Sequence, residues 1–215
     1  MAKRLKHPVG RTVMWRIPNE PGSEIAEVTG TPGDGWRLRG HVHLVEEDAP
    51  VRVSYLVLCD DHWTTRYADV EFYRGPGESR FVQLLRDPDL GWQRREATSR
   101  DAAPALEFET LAGLDDAIDV DLEFSPITNT LPIRRLAPRT GNSVDLTAAW
   151  VRFPALTVEP SRQTYTRLAA KRYRFASATG YVAEIEVDDL GLVVDYGDVW
   201  ERVAVTDAPW SRPNG

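Results

Sequence analysis

Residues 118–124 alternate strictly, with apolar Ile118, Val120, Leu122 and Phe124 separated by acidic Asp119, Asp121 and Glu123. A period of two sends successive side chains to opposite faces of an extended strand, whereas a helix would scatter the acids around its circumference. The same alternation recurs at residues 106–109, 67–73 and 181–187. Half-buried strands are therefore the recurring unit. In VRVSYLVLC (51–59), Val53, Tyr55 and Val57 occupy one face while Leu56 and Leu58 occupy the other, which marks a central strand covered on both sides at one end. Turn signals such as TPGDG, CDDHW, RGPGE, RDPDLG and VDDLG come too close together for βαβ units and favour antiparallel meanders. The expected class is all-β and antiparallel, with at most one or two short helices.

The best helix candidate is SRQTYTRLAAKRY (161–173) with Ser161 as N-cap, although its aromatics also fit a strand. Residues 125–132, bounded by Pro126 and Pro132, read as a turn, too proline-bounded for helix. Arg134 and Arg135 then open what should be another strand, so alternation puts them on opposite faces and at most one can meet the acidic row. YLVLCDDHWTTRY and AEIEVDDLGLVVDY both read strand, Asp-Asp turn, strand, one in each half of the chain, which suggests an internal duplication. The expected organisation is a single domain over residues 15–205, with a poorly ordered start (1–14) and a frayed tail (206–215).

A chain of 215 residues can bury about 70% of the surface its unfolded form exposes, so a real core is available. The net charge of -7, with basic residues scattered among acids, excludes nucleic acid as a partner. Cys59 is the lone cysteine, so no intrachain disulfide exists, and it reads as a small core residue. No apolar run long enough to span a membrane occurs, and the basic start leads into no apolar signal region, so cytoplasmic residence is expected.

Two readings compete for the acidic row. Neighbouring carboxylates on one strand face lie roughly 6.5–7 Å apart, a separation that suits a general acid and base in a sugar hydrolase. Such pairs usually come from different strands, so a face that is solvated or paired with arginine is the preferred reading, with a buried Arg–Asp network at its centre. Thr128 and Asn129 can cap their own turn or hydrogen-bond a ligand's hydroxyls. His7, His41, His43 and His62 show no metal-ligand spacing, and neither a nucleophile elbow nor a phosphate loop is present, so no metal or cofactor is expected. A curved sheet lined by Trp63, Tyr67, Trp150, Tyr165, Tyr173, Phe175 and Tyr196 would make an apolar trough for an acyl chain.

Taken together, MWRIPNEPGSEIAEV, GWRLRGHV, VSYLVLCDDHWTTRYADV, DVDLEFSPITNTLPIRRL, AAWVRFPALTVEPSRQTYTRL and IEVDDLGLVVDYGDVWERV resemble the bacterial glycolipid-binding family, from about Trp15 to about Arg202. The resemblance implies strongly curved sheets forming a half-barrel or open barrel, similar in style to lipoprotein carriers, and a lipid or glycolipid ligand. Where members of that family often carry a cysteine ahead of the Asp-x-Asp element, Ala117 and Ile118 stand here, which weakens any case for a reactive thiol. The expected function is a non-enzymatic binding module. Its ligand-binding candidates are Trp63, Arg66, Asp119, Asp121, Thr128, Asn129, Arg134, Arg135, Tyr165 and Tyr196. A carbohydrate-active hydrolase or isomerase, or an interaction protein using exposed aromatics, are the alternatives.

Overall fold

The alternating segments become one sheet. The computed structural model describes residues 9–31, 33–100 and 106–207. Among them are β1 (Val9–Arg16), β2 (Gly22–Thr31), β3 (Gly35–Glu46), β4 (Ala49–Cys59), β5 (Thr65–Gly75), β6 (Glu78–Asp87), β7 (Gly91–Ala97), β8 (Glu109–Thr110) and β9 (Ala117–Leu122). A 3-10 turn (Pro126–Asn129) and helix α1 (Thr130–Leu136) follow. Then come β10 (Ser143–Val151), β11 (Val158–Ala169), β12 (Arg172–Ser177), β13 (Val182–Val187), β14 (Val193–Tyr196) and β15 (Trp200–Thr206). All fifteen strands lie in one curved, unclosed sheet in which β8 back to β1 form a meander, β1 pairs with β15, and β15 back to β9 form a second meander. The sheet begins ahead of Trp15, because residues 9–14 are already paired with β2 and Thr12, Val13 and Met14 with β15 as well. Residues 1–8 and 208–215 lie outside the described residues.

Among the described strands, every pairing is antiparallel except β9 with β10, which is parallel. Parallel neighbours need a crossover, and the chain between them supplies it as the 3-10 turn and α1. The proline-bounded stretch is thus helical, contrary to expectation. Pro126 opens the 3-10 turn and Pro132 stands in the first turn of α1, positions where a missing N–H leaves no helical bond unmade. The Ser125 hydroxyl caps the turn by accepting from the Ile127 amide at 3.2 Å. In the other direction, 161–173 is strand and not helix, running through β11 into β12. Ser161, Gln163 and Tyr165 are buried while Arg162 is exposed, so a period of two governs this stretch also.

The sheet rolls until its ends nearly meet. The Trp92 indole on β7 donates to the Ala117 carbonyl on β9 at 2.8 Å, and the Val120 amide donates to the Thr65 hydroxyl on β5 at 3.1 Å. On the other side, the Trp15 indole donates to the Val193 carbonyl at 2.9 Å. Ile127, Leu131 and Ile133 fill the space enclosed by the roll, packing with Trp15, Val28, Leu38, Val53 and Val70. Each such large aliphatic side chain contributes about 1.5–3 kcal/mol by leaving water. The interior is therefore plugged by the crossover, and of the aromatics expected to line an open acyl trough Trp63, Tyr165 and Tyr173 are buried in the core.

The echo between the two halves is a shared turn. Asp60 Oδ1 accepts from the amides of His62 (2.9 Å) and Thr64 (3.0 Å), and Asp188 Oδ1 from those of Leu190 and Leu192 (both 3.0 Å). Each second oxygen holds arginine, Arg66 on Asp60 at 2.7 Å and Arg202 on Asp188 at 2.6 Å. Trp63 (φ 67°) and Gly191 (φ 82°) occupy the same left-handed position in the two turns. Arg134 of α1 reaches both, its guanidinium 5.6 Å from the Trp63 ring centre and its Nη1 donating to the Asp189 carbonyl at 3.3 Å.

Candidate functional site

Where the plug stops short, a cleft of about 340 Å³ remains between the end of β9, the faces of β11 and β12, and the β14–β15 turn. That volume is at the small end of the range of ligand pockets. Its polar floor is built by Asp121, Asn129 and Gln163. Asp121 Oδ1 accepts from the Thr128 hydroxyl at 3.1 Å and Oδ2 from the Gln163 amide at 2.6 Å. Asn129 Oδ1 accepts from the Tyr165 hydroxyl at 2.7 Å, and its Nδ2 donates to the Pro126 carbonyl at 3.2 Å. Asp121 is surrounded by protein, yet keeps accessible surface because it faces the cleft. Burial holds its carboxyl above the ordinary value, against the Gln163 and Thr128 hydrogen bonds, with the charges of Glu123 and Asp119 adding to the rise.

The walls are aromatic. Phe175, Tyr181 and Tyr196 form a triangle with ring centres 6.1 to 6.3 Å apart, and Trp150 and Trp200 stand beside it. Edge-on and tilted contacts of this kind hold each ring's orientation. At the rim, Glu123 accepts from Arg152 Nε at 3.1 Å and from the Phe153 amide at 2.7 Å. Arg152 also binds Glu159 at 2.7 Å and covers the Trp150 ring at 4.0 Å. Among the described residues, no Lys, Arg or His lines the cleft. A larger and shallower groove of about 640 Å³ passes Asp145, Arg162 and Thr164, but has no aromatic walls.

The expected site residues divide by location. Asp121, Asn129 and Tyr196 line the cleft, while Thr128 and Tyr165 stand behind it and fix the first two. Trp63, Arg66, Asp119, Arg134 and Arg135 lie elsewhere, around α1 and the Asp60 turn. Trp63 is buried and stacks on Trp36 with ring centres 4.1 Å apart. Asp119 is engaged by Arg135, and Arg66 by Asp60. Arg134 and Arg135 are helical, so alternation is not what separates them. One still meets the acidic row and the other does not, because adjacent helical residues point about 100° apart. Cys59 is buried, and burial raises its thiol far beyond the range of a thiolate nucleophile. His41 and His43 share an exposed face, and no metal-holding cluster occurs among the described residues. Among the described residues, no helix is long and apolar enough to cross a membrane.

Sequence reasoning missed Gln163, Tyr181 and Trp200 as cleft residues, since Gln163 lies inside the stretch misread as helix and the other two come from a turn and a strand far along the chain, whereas Phe175 was expected only as part of an aromatic trough. It also missed Glu24. This carboxyl is fully buried on β2, where Oε1 accepts from the Tyr55 and Ser125 hydroxyls and Oε2 has no partner. Burial raises it to about 8 against those two hydrogen bonds. Tyr55 reaches it across β3 because Gly40 offers no side chain; a Cβ there would lie 2.4 Å from the Tyr55 oxygen.

A curved, open all-β sheet, plugged by a short helical crossover and left with one aromatic-walled cleft, defines the class of protein. The sequence pattern of the family described as "Putative glycolipid-binding" matches residues 12–202, and the chain belongs to that family. The chain is also similar to a crystal structure of a DUF1089 family protein from Pseudomonas aeruginosa. The two are 28% identical, with a TM-score of 0.68 over 84% of this chain and 92% of that one. No curated protein sequence matches.

Proposed function

We propose that the protein is a non-enzymatic glycolipid-binding protein that seats the head group of an amphiphile in the cleft and leaves most of its tail outside. The observation that carries the reading is a ring triangle standing over a hydrogen-bonding floor of Asp121, Asn129 and Gln163. Sugars present apolar C–H faces to rings and hydroxyls to amides and carboxylates, so the two kinds of surface match the two sides of such a ring. The cleft is too small for head and chain together, but exposed Tyr181 and Val199 lie at its rim, where a tail contributes about 0.8 kcal/mol for each methylene it withdraws from water. Calorimetric titration with octyl glycosides tests this. Saturable binding that falls at least about tenfold in Trp200→Ala and Gln163→Ala supports the reading. No saturable binding of any octyl amphiphile removes it.

A second reading, a hydrolase or isomerase acting on a sugar derivative, is favoured by the carboxyl of Asp121, which faces the cleft and is held above its ordinary value by burial. It requires an ionised partner facing Asp121, and Glu123 is occupied by Arg152 and the Phe153 amide. Turnover of a nitrophenyl glycoside, abolished in Asp121→Asn, would establish this second reading over the first.

A further inference from the structure

The glycolipid reading leaves open which head groups the cleft accepts, and the charges around it narrow the choice. The one carboxyl on its floor, Asp121, uses one acceptor position of each oxygen on Thr128 and Gln163. A carboxylate offers about four such positions, so each oxygen can still accept from a guest. No basic side chain among the described residues lines the walls. The guanidinium at the rim, Arg152, is already shared between Glu123, Glu159 and the Trp150 ring. Arg135 is held by Asp119, away from the cleft.

Resting on the glycolipid reading, we propose that the head group is a non-anionic sugar ring, neutral or amine-bearing, that donates hydrogens from a hydroxyl or ammonium to Asp121 while its apolar face lies against the rings. A phosphate, sulfate or uronate in the same place would bring a second negative charge to Asp121 with no cation to meet it, in an enclosure where water screens poorly. Rejection of this kind is how a site discriminates between rings of one shape. An amine gains in the opposite sense, because a charge-assisted bond to a carboxylate is shorter and stronger than a neutral one.

The test is calorimetric titration of octyl β-glucoside, octyl β-glucosaminide, octyl β-glucuronide and octyl phosphate, which share a tail and differ in head charge. The glucoside and glucosaminide are expected to bind at least about tenfold tighter than either anion. Asp121→Asn, whose amide keeps the acceptor for Thr128 and lets Gln163 turn its own amide, is expected to bring glucoside and glucuronide within about threefold of each other. Thr179→Lys, an exposed change at the rim, is expected to recover glucuronide binding if the Asn variant does not fold. Glucuronide or phosphate binding as tightly as the glucoside overturns the proposal and leaves the glycolipid reading standing. A preference that neither variant moves also overturns it. If none of the four binds, both readings fall together.

Discussion

Arg135 forks onto Asp119, its Nε donating to Oδ1 at 3.0 Å and its Nη2 to Oδ2 at 2.6 Å, with the carboxyl side chain only 1% exposed. The crossover puts a helix residue against the strand it has just left, so the fork ties α1 to β9. Arg135→Met strands the buried carboxylate, and removing one partner of such a pair costs about 3–5 kcal/mol. Burial already holds Asp119 above its usual value, with Arg135 opposing the rise. An acid whose folded value is raised is stabilised while protonated and loses that advantage as pH rises. Without Arg135 the folded value climbs further, so the variant's deficit is expected to shrink between pH 7.5 and pH 4.5 in urea unfolding. An equal deficit at both would contradict this origin.

Glu24 gives the wild-type protein its own pH dependence. The carboxyl is raised from 4.5 to about 8, so between those values the folded state holds a proton that the unfolded state has released. Stability conferred by that proton is complete below the unfolded value and is lost as pH climbs through about 8, at up to about 1.4 kcal/mol per pH unit. Glu24→Gln is neutral throughout and is expected to unfold at nearly the same urea concentration from pH 6 to pH 9. A variant as pH-sensitive as wild type would assign the slope to other groups.

Gly40→Ala is expected to destabilise the fold by about 1–3 kcal/mol, because the new methyl meets the Tyr55 oxygen and ring and pushes them from Glu24. Gly40→Ala with Tyr55→Phe should recover little, since Glu24 then keeps only the Ser125 hydroxyl. Thermal unfolding of the two variants makes the comparison.

Gly191→Ala is expected to cost about 1–2 kcal/mol, since its φ is left-handed and a Cβ would lie 3.0 Å from Arg134 Cδ. Trp63 bears the same strain in the other turn but is compensated by its stack on Trp36. Trp63→Gly relieves the strain and loses the stack, so it should also destabilise, with Trp36 becoming solvent-quenched in fluorescence. A neutral result at Gly191 would mean the turn relaxes freely.

Alternation was legible wherever one face of a strand is buried, as at Ala68, Val70 and Phe72, and the Asp-Asp turns were legible because their side chains cap their own backbone. It failed at residues 126–136, where two prolines suggested a helix could not form. Their cost depends on position within the helical turn, which the surroundings set. The cleft was half legible: Asp121, Asn129 and Tyr196 stood out by type, but Gln163 acquires meaning only when β11 folds over the end of β9. Glu24 was invisible, since nothing local distinguishes a buried glutamate on an alternating strand from a solvated one.

The pairing of β1 with β15 joins the earliest strand to the latest, at the middle of the sheet. During synthesis the amino-terminal meander must therefore wait with β1 unzipped on one side until the ribosome has released some 190 further residues. A topology of such high contact order folds slowly, and an apolar edge left bare meanwhile invites other chains to complete it. Chaperone dependence at the folding step, more than fragility of the finished molecule, is the vulnerability this arrangement builds in.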